Sequence, residues 1–332
     1  MAGGAQGVLI GLSAVVITLS RGEACVLTTG GSDSGIGLPF GPFDPGGHRT
    51  FELALRNFVT EQTGFSLGYV EQLYTFGDAG REAPRAALRG EDAGPGGEPV
   101  RVVSVGYLAL TRLAEGVGGE GVNWSRVLDF FPWEDFRNGR PAVIDSVIAP
   151  GLSAWIDAAP DAPTLQARRA RADSLFALHG AVRWREEQVL ERYQLLYEAG
   201  LVFESRRDNA LGTGAEPPQL GRAMISDHRR ILATALGRLR GKLKYRPILF
   251  ELTPELFTLS QLQSAAEAIV GMALHKQNFR RGVERTGLVT ATGRMATATG
   301  GRPAELFTYR GQDPMAAQAL GLPLPGLRQD GA

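Results

Sequence analysis

The opening of the chain is apolar almost without a break: VLIGLSAVVITLS, Val8 to Ser20, mixes β-branched and aliphatic side chains with few polar ones. A membrane span needs about 20 such residues, and the preceding MAGGAQG carries no positive side chain, so the pattern predicts a buried strand rather than a span or a leader. A glycine turn and a second apolar stretch, ACVLTTG, follow. GYVEQLYTF (Gly68 to Phe76) and VRVVSVGYLALT (Val100 to Thr111) also read as strands, joined by a long Gly/Pro/Ala-rich loop. A helix from Glu52 to Gln62 precedes them, and strands, helix, strands is the order of a mixed α/β domain.

The middle is less patterned. After FFPWEDFRNGRP comes a Pro- and Ala-rich section without a clear period, then RWREEQVLERYQLLYEAG. Here Trp184, Leu190, Tyr193, Leu196 and Tyr197 recur at helical spacing, and Gly200 is placed as a stop. Past a polar loop, SRRDNALGTGAEPPQ, the segment Asp227 to Tyr245 predicts a second helix with an Ile231, Leu232, Leu236, Leu239, Leu243 stripe and Asp227 as its N-cap.

The last third changes character. Thr258 with Gln261 three residues later is a capping-box pattern at the head of a helix that Gly271 ends. HKQNFRRGVE then predicts a short helix with Phe279 and Val283 inward and polar, basic residues outward. GLVTATG and PAELFTYR read as strands around RMATATGGR, a hairpin tip. Two helices, a short turn and a basic hairpin are the parts of a winged helix-turn-helix. From Gly271 to Arg310 there are seven Lys/Arg against two Asp/Glu, an excess of +5 in a chain with net charge +0. The candidate contacts to double-stranded DNA are Thr258, Lys276, Gln277, Asn278, Arg280, Arg281, Arg294 and Arg302: long donors for base edges, and a separate basic finger for phosphates or the minor groove.

Composition removes other classes. With 332 residues, 43% hydrophobic and 21% charged, the chain has room for about two soluble domains. Its one cysteine, Cys25, excludes an internal disulfide framework or a Cys-rich zinc site and makes a reducing, cytoplasmic setting the expectation, with no membrane partner.

On these residues the chain resembles the Nudix-related transcriptional regulators of the NrtR-like family. FELTPELFTLSQLQSAAEAIVGMALHKQNFRRGVERTGLV and GRPAELFTYR are similar to the winged helix, and QLYTFGD, VVSVGYLAL and DHRRILATALGRLRGKLKYRP to the sensor domain. LPFGPFDPGGHRTFELALRNFVTEQTGFSLGYVEQLYTFGD and HGAVRWREEQVLERYQLLYEAGLV resemble the longer, alphaproteobacterial branch of NAD-biosynthesis regulators (NadQ-like). The resemblance implies an α/β Nudix-like sandwich domain over residues 1–250 with a helical insertion at about 134–220, a C-terminal winged helix at 251–312 and a flexible tail at 313–332.

It also gives meaning to LRNFVTEQTGF. A working Nudix box stacks carboxylates on one helix to hold Mg²⁺ against a diphosphate. Aligned on Gly64 and Phe65, its Arg falls on Asn57, its three helix glutamates on Phe58, Glu61 and Gln62, and its upstream Glu on Arg49. The expectation is no catalytic residue, no resident metal beyond a weak contribution from Glu61, and no required cofactor. A pocket with Arg49 for phosphates and Phe43, Phe58, Tyr74 and Phe76 for an adenine would then bind an effector, NAD, ADP-ribose or ATP, in a homodimeric repressor. The alternatives are an active Nudix-type hydrolase and a protein-interaction adaptor built on the winged helix.

Overall fold

A computed structural model of the chain describes residues 8–30, 35–78, 101–112, 121–178, 183–208, 219–296 and 303–311. The strands are β1 Val8–Ser20, β2 Glu23–Thr28, β3 Phe40–Pro42, β4 Tyr69–Phe76, β5 Arg101–Leu110, β6 Asn123–Arg126, β7 Val289–Ala296 and β8 Ala304–Tyr309. The helices are α1 Phe51–Thr63, α2 Val127–Phe130, α3 Ala149–Asp157, α4 Ala162–Phe176, α5 Val189–Glu198, α6 Phe203–Asp208, α7 His228–Leu243, α8 Leu259–Val270 and α9 Lys276–Thr286.

The first six strands form one mixed sheet in the order β4-β5-β1-β2-β6, with β3 on the first half of β1. β1 runs parallel to β5 over Val8 to Ile17, while β3 and β2 pair antiparallel with successive halves of it. A central strand covered on both faces must be apolar throughout, hence the unbroken run read in the sequence. Leu12, Ala14 and Val16 meet Ala54, Leu55, Phe58 and Val59 of α1. Val15 and Ile17 belong to the opposite core, with Ile231, Leu232 and Leu236 of α7. The expected α/β sandwich is therefore formed, and α1 and α7 are its two coverings. The long loop expected between β4 and β5 lies outside the described residues.

Four local expectations are corrected. The helix expected from Arg183 begins at Val189, because residues before it fold back: the guanidinium of Arg192 lies 3.8 Å from the centre of the Trp184 ring and donates to the Arg185 carbonyl at 3.0 Å. Asp227 does not cap α7 with its side chain; its carboxylate accepts from Arg230 Nη1 at 3.1 Å. The Pro- and Ala-rich section holds a wide π-helical turn, Ile144–Ile148, running into α3, and then α4, started by Asp161 accepting from Thr164 N–H at 2.7 Å. Ser205 to Asp208, expected in a loop, are the end of α6.

The C-terminal unit is a winged helix. Phe257 exchanges backbone hydrogen bonds with Phe307 of β8 at 3.0 and 2.8 Å, adding a short third strand to the β7–β8 hairpin. Its core is continuous with that under α7: Phe279, Val283 and Leu288 join the same cluster as Leu239 and Leu243.

Candidate nucleic-acid interface and the α1 helix

The two helices of the winged unit, α8 and α9, are fixed by local chemistry. Thr258 Oγ1 accepts from Gln261 N–H at 3.1 Å while Gln261 Oε1 accepts from Thr258 N–H at 2.8 Å, the expected capping box. At the other end Gly271, at φ 74°, closes α8. Across the turn, Glu267 accepts from Leu274 N–H and Gln263 donates to the Leu274 carbonyl, both at 2.8 Å. These two side chains fix the angle between α8 and α9, and sequence reasoning passed over both.

On α9, Phe279 and Val283 are buried, at 1% each, and hold the helix to the core. Lys276, Gln277, Asn278 and Arg281 are exposed, with Arg281 Nη2 donating to Asn278 Oδ1 at 2.7 Å. Arg280 is half-buried, its Nη2 donating to Ser260 Oγ at 3.3 Å on the first turn of α8. Arg294 is exposed on β7, where Gly293, at φ 69°, sits in an irregularity of the hairpin. Arg302 lies outside the described residues. Thr258 is buried, its hydroxyl used as the cap, and so stands apart from this exposed set. A helix with its apolar side packed and a row of neutral and cationic donors outward has the chemistry of a groove reader.

A buried ionic cluster ties this unit to the rest. Glu134, Arg192 and Arg240 are all fully buried. Glu134 accepts from Arg192 Nε at 2.6 Å and Nη2 at 2.9 Å, and from Arg240 Nη1 at 2.5 Å. Burial pushes the Glu134 carboxyl up, but the two guanidiniums outweigh it and hold it below the ordinary carboxylate range. Arg240 Nε donates onward to the carbonyl of Ile269 near the end of α8. Phe136 N–H donates to the Gly271 carbonyl at 2.6 Å.

The six candidate ligand residues do not share one pocket. Phe58 packs in the core on the α1 face, against Gly41, where an added Cβ would stand 3.1 Å from its ring. Phe76 lies in the opposite core, with Arg230 of α7 over its ring at 5.4 Å and the exposed ring of Tyr74 5.4 Å away. Phe43 packs edge-on against Phe51 at 4.4 Å and beside His48. Arg49 is exposed just ahead of α1, and Glu61 is exposed near its far end. Gln62 donates from Nε2 to the Phe40 carbonyl of β3 at 2.8 Å, and Glu52 is paired with Arg56 at 2.9 Å.

Residues 249–309 match the family model of the NrtR DNA-binding winged helix domain. A curated relative from Acinetobacter baylyi, named as an ADPR responsive transcriptional repressor, is 40% identical over 87 residues, which are 26% of this chain. The match spans 34% of that relative's length. Two solved structures of Shewanella oneidensis NrtR, one in complex with a 27mer DNA, superpose at TM-score 0.52 with 20% identity. The DNA complex covers 94% of this chain and 97% of its own; the other covers 95% and 98%. The long superposition carries the fold, and the match over residues 249–309 identifies that segment as an NrtR-type DNA-binding winged helix domain.

Proposed function

We propose that this chain is a cytoplasmic transcriptional repressor of NAD-biosynthesis genes, acting as a homodimer on a duplex operator and released or engaged by an adenine nucleotide. The observation that carries the reading is the outer row of α9, Lys276, Gln277, Asn278 and Arg281, held over buried Phe279 and Val283 inside the segment matching the DNA-binding family. Arg294, with Arg302, would supply the wing's phosphate contacts. The ADPR responsiveness in the name of the Acinetobacter baylyi relative favours ADP-ribose among ADP-ribose, NAD and ATP.

The sensing domain is read as non-catalytic. A Nudix metal would need carboxylates where Phe58 is buried and where the amide of Gln62 is bonded to the Phe40 carbonyl. The residues present do not fit that ion. Glu61 remains, exposed, with no second acid at the neighbouring Nudix positions. Removing the metal ligands removes most of the charge stabilisation that diphosphate hydrolysis requires. Of the residues proposed to bind the effector, Phe43, Arg49, Phe58 and Glu61 go with α1 and the segment before it. Tyr74 and Phe76 belong to the α7 side and would act through a separate contact.

Ligand control follows from linkage: a nucleotide that prefers one spacing of the two winged helices changes DNA affinity by the same coupling, typically about 1 to 3 kcal/mol. The test is a mobility shift on DNA upstream of this gene and of NAD-synthesis genes, with and without ADP-ribose, NAD or ATP. A sequence-specific shift altered by one of the three is expected. Absence of any shift, or multiple turnover of ADP-ribose or NAD with Mg²⁺ or Mn²⁺, would overturn the reading.

A further inference from the structure

The surface that continues from the winged unit onto the mixed sheet is basic where the fold did not require it. β1 and β2 are joined by two residues, Arg21 and Gly22, between the paired Ser20 and Glu23. Both have positive φ, 50° and 79°. A two-residue turn of this kind favours Asn-Gly or Gly-Gly, because an L side chain with a long stem is strained at the first position. An arginine occupies it, exposed at the tip. Beside it lies a cleft of about 610 Å³ between this turn and the first turn of α8, its surface more apolar than polar, where Leu19, Leu252, Pro254 and Ala265 line it together with Arg21, Arg112, Ser260 and Ser264.

The cleft is continuous with the α9 surface through one contact, Arg280 Nη2 to Ser260 Oγ, since Ser260 also lines the cleft. Its positive field comes from three sources. Arg21 has no carboxylate partner in the described ion pairs. Arg112 meets only Glu255, at 3.8 Å, with 51% and 86% of the two side chains exposed, so that pair is loose and screened. The N-terminus of α8, a helix of 12 residues, points its dipole the same way, although the capping box already occupies two of its amides. Two arginines and two exposed serines at an open, otherwise largely apolar trough beside α9 suit a phosphodiester backbone, which takes charge and short donors without base specificity.

We infer that the Arg21 turn and Arg112, with Ser260 and Ser264 of α8, form a second DNA-backbone site that carries the bound duplex from the winged helix onto the sensor domain. It rests on the DNA-binding reading above. A nucleotide that shifts the sensor sheet relative to α8 would then change DNA affinity directly, through the width of this trough.

The test uses the full chain and the duplex shifted by the wild type, titrated from about 0.05 to 0.3 M salt. Arg21→Asn is the informative variant, because Asn-Gly suits the turn and should keep or raise the melting temperature. Arg21→Asn and Arg112→Gln should each weaken binding about 3- to 10-fold, and each should flatten the log–log salt slope by about 1.8, the value of two lost phosphate contacts, one from each protomer of the dimer. Glu255→Gln should tighten binding. If the double variant Arg21→Asn/Arg112→Gln binds with wild-type affinity and slope while Arg281→Ala is impaired, the second site is refuted and the winged helix stands. The site is equally refuted if the double variant alters only the nucleotide response. If the wild type shifts no DNA, the DNA-binding reading fails and this inference fails with it.

Discussion

Arg240 Nε, on the helix that backs the mixed sheet, donates to the carbonyl of Ile269, at the end of α8, the first helix of the winged unit, across 2.8 Å of buried interior. The same guanidinium donates to Glu134, which also holds Arg192 of α5. One carboxylate and two cations therefore join three parts of the chain that the sequence presents separately. A buried charge left without its partner is far more damaging than the intact pair is stabilising.

The first prediction concerns that cluster. Arg240→Met should destabilise the chain by about 3 to 5 kcal/mol, the usual range for breaking a buried pair from one side. Urea denaturation measures it. Adding Glu134→Gln to Arg240→Met should cost less than the two single losses summed, because the Arg240–Glu134 contact is counted in both single losses, even though Arg192 is then left without its carboxylate. Strict additivity would mean that the three side chains do not act as a unit.

Two glycines with the same backbone geometry separate strain from crowding. Gly271 and Gly287 have φ 74° and 64°, and each closes a helix of the winged unit. A Cβ on Gly287 would meet nothing within 4 Å, whereas on Gly271 it would collide with the Glu134 carbonyl and lie 2.7 Å from Arg240 Nη2. Gly287→Ala should therefore cost only the left-handed penalty, about 1 to 2 kcal/mol. Gly271→Ala should cost clearly more and should also weaken DNA binding, since backbone there cannot yield without moving α8. Thermal melts and shift titrations of the pair decide it; equal losses would disprove the crowding argument.

His228 supplies a pH dependence. Its Nδ1 accepts from Leu38 N–H at 3.0 Å, its ring meets Phe40 at 5.0 Å, and burial, with a smaller repulsion from Arg207, lowers its pKa to about 3. The folded state thus binds the proton less readily than the unfolded chain, whose imidazole titrates near the ordinary 6.5. Stability is fully present above that value and falls as pH drops towards about 3, by about 2 kcal/mol between pH 7 and pH 5. Glu134, with its lowered pKa, adds a loss only in the carboxylate range below that window. His228→Asn keeps an acceptor for Leu38 and should flatten the pH 5 to 7 limb; an unchanged limb in that variant would assign it to other groups.

Legibility in the sequence followed the range of the interaction. The Thr258–Gln261 box, the Gly271 stop and the inward Phe279 and Val283 are written within a few residues, and each is formed as expected. The stripe on α7 was readable for the same reason. α4 was not: its charged, alanine-rich sequence has no apolar side, and only Asp161 with the following Ala-Pro announced a helix start. Arg192 and Arg240 look like solvated helix residues in one dimension, because nothing local says that Glu134 lies across from both. The candidate ligand residues divided for a related reason. Alternation along a strand tells which residues share a face, but that Phe58 and Phe76 fall on opposite faces depends on which helix covers which side.

The last prediction addresses the α1 helix by trying to restore it. Asn57→Arg/Phe58→Glu/Gln62→Glu would return the helix letters of the Nudix box beside Glu61, with Arg49 still at the upstream Glu position. Phe58 is 9% exposed and packed in the α1-side core, so the new glutamate loses the ring's packing and is forced into an apolar site. Gln62→Glu places a carboxylate where the amide now donates to the Phe40 carbonyl, turning a hydrogen bond into repulsion between oxygens. The triple variant should lose about 3 kcal/mol or more of stability near neutral pH, the range of large-to-small changes at buried phenylalanines. It should show no multiple turnover of ADP-ribose with Mg²⁺ or Mn²⁺. Asn57→Arg alone, at an exposed position, should leave stability within about 0.5 kcal/mol of wild type. A triple variant that keeps wild-type stability and hydrolyses ADP-ribose would mean that the surroundings of α1 still form an enzyme site, with the change confined to these letters. Failure on both counts would mean that β3 and the sheet have closed around the substituted helix, so that the loss of chemistry is built into the packing.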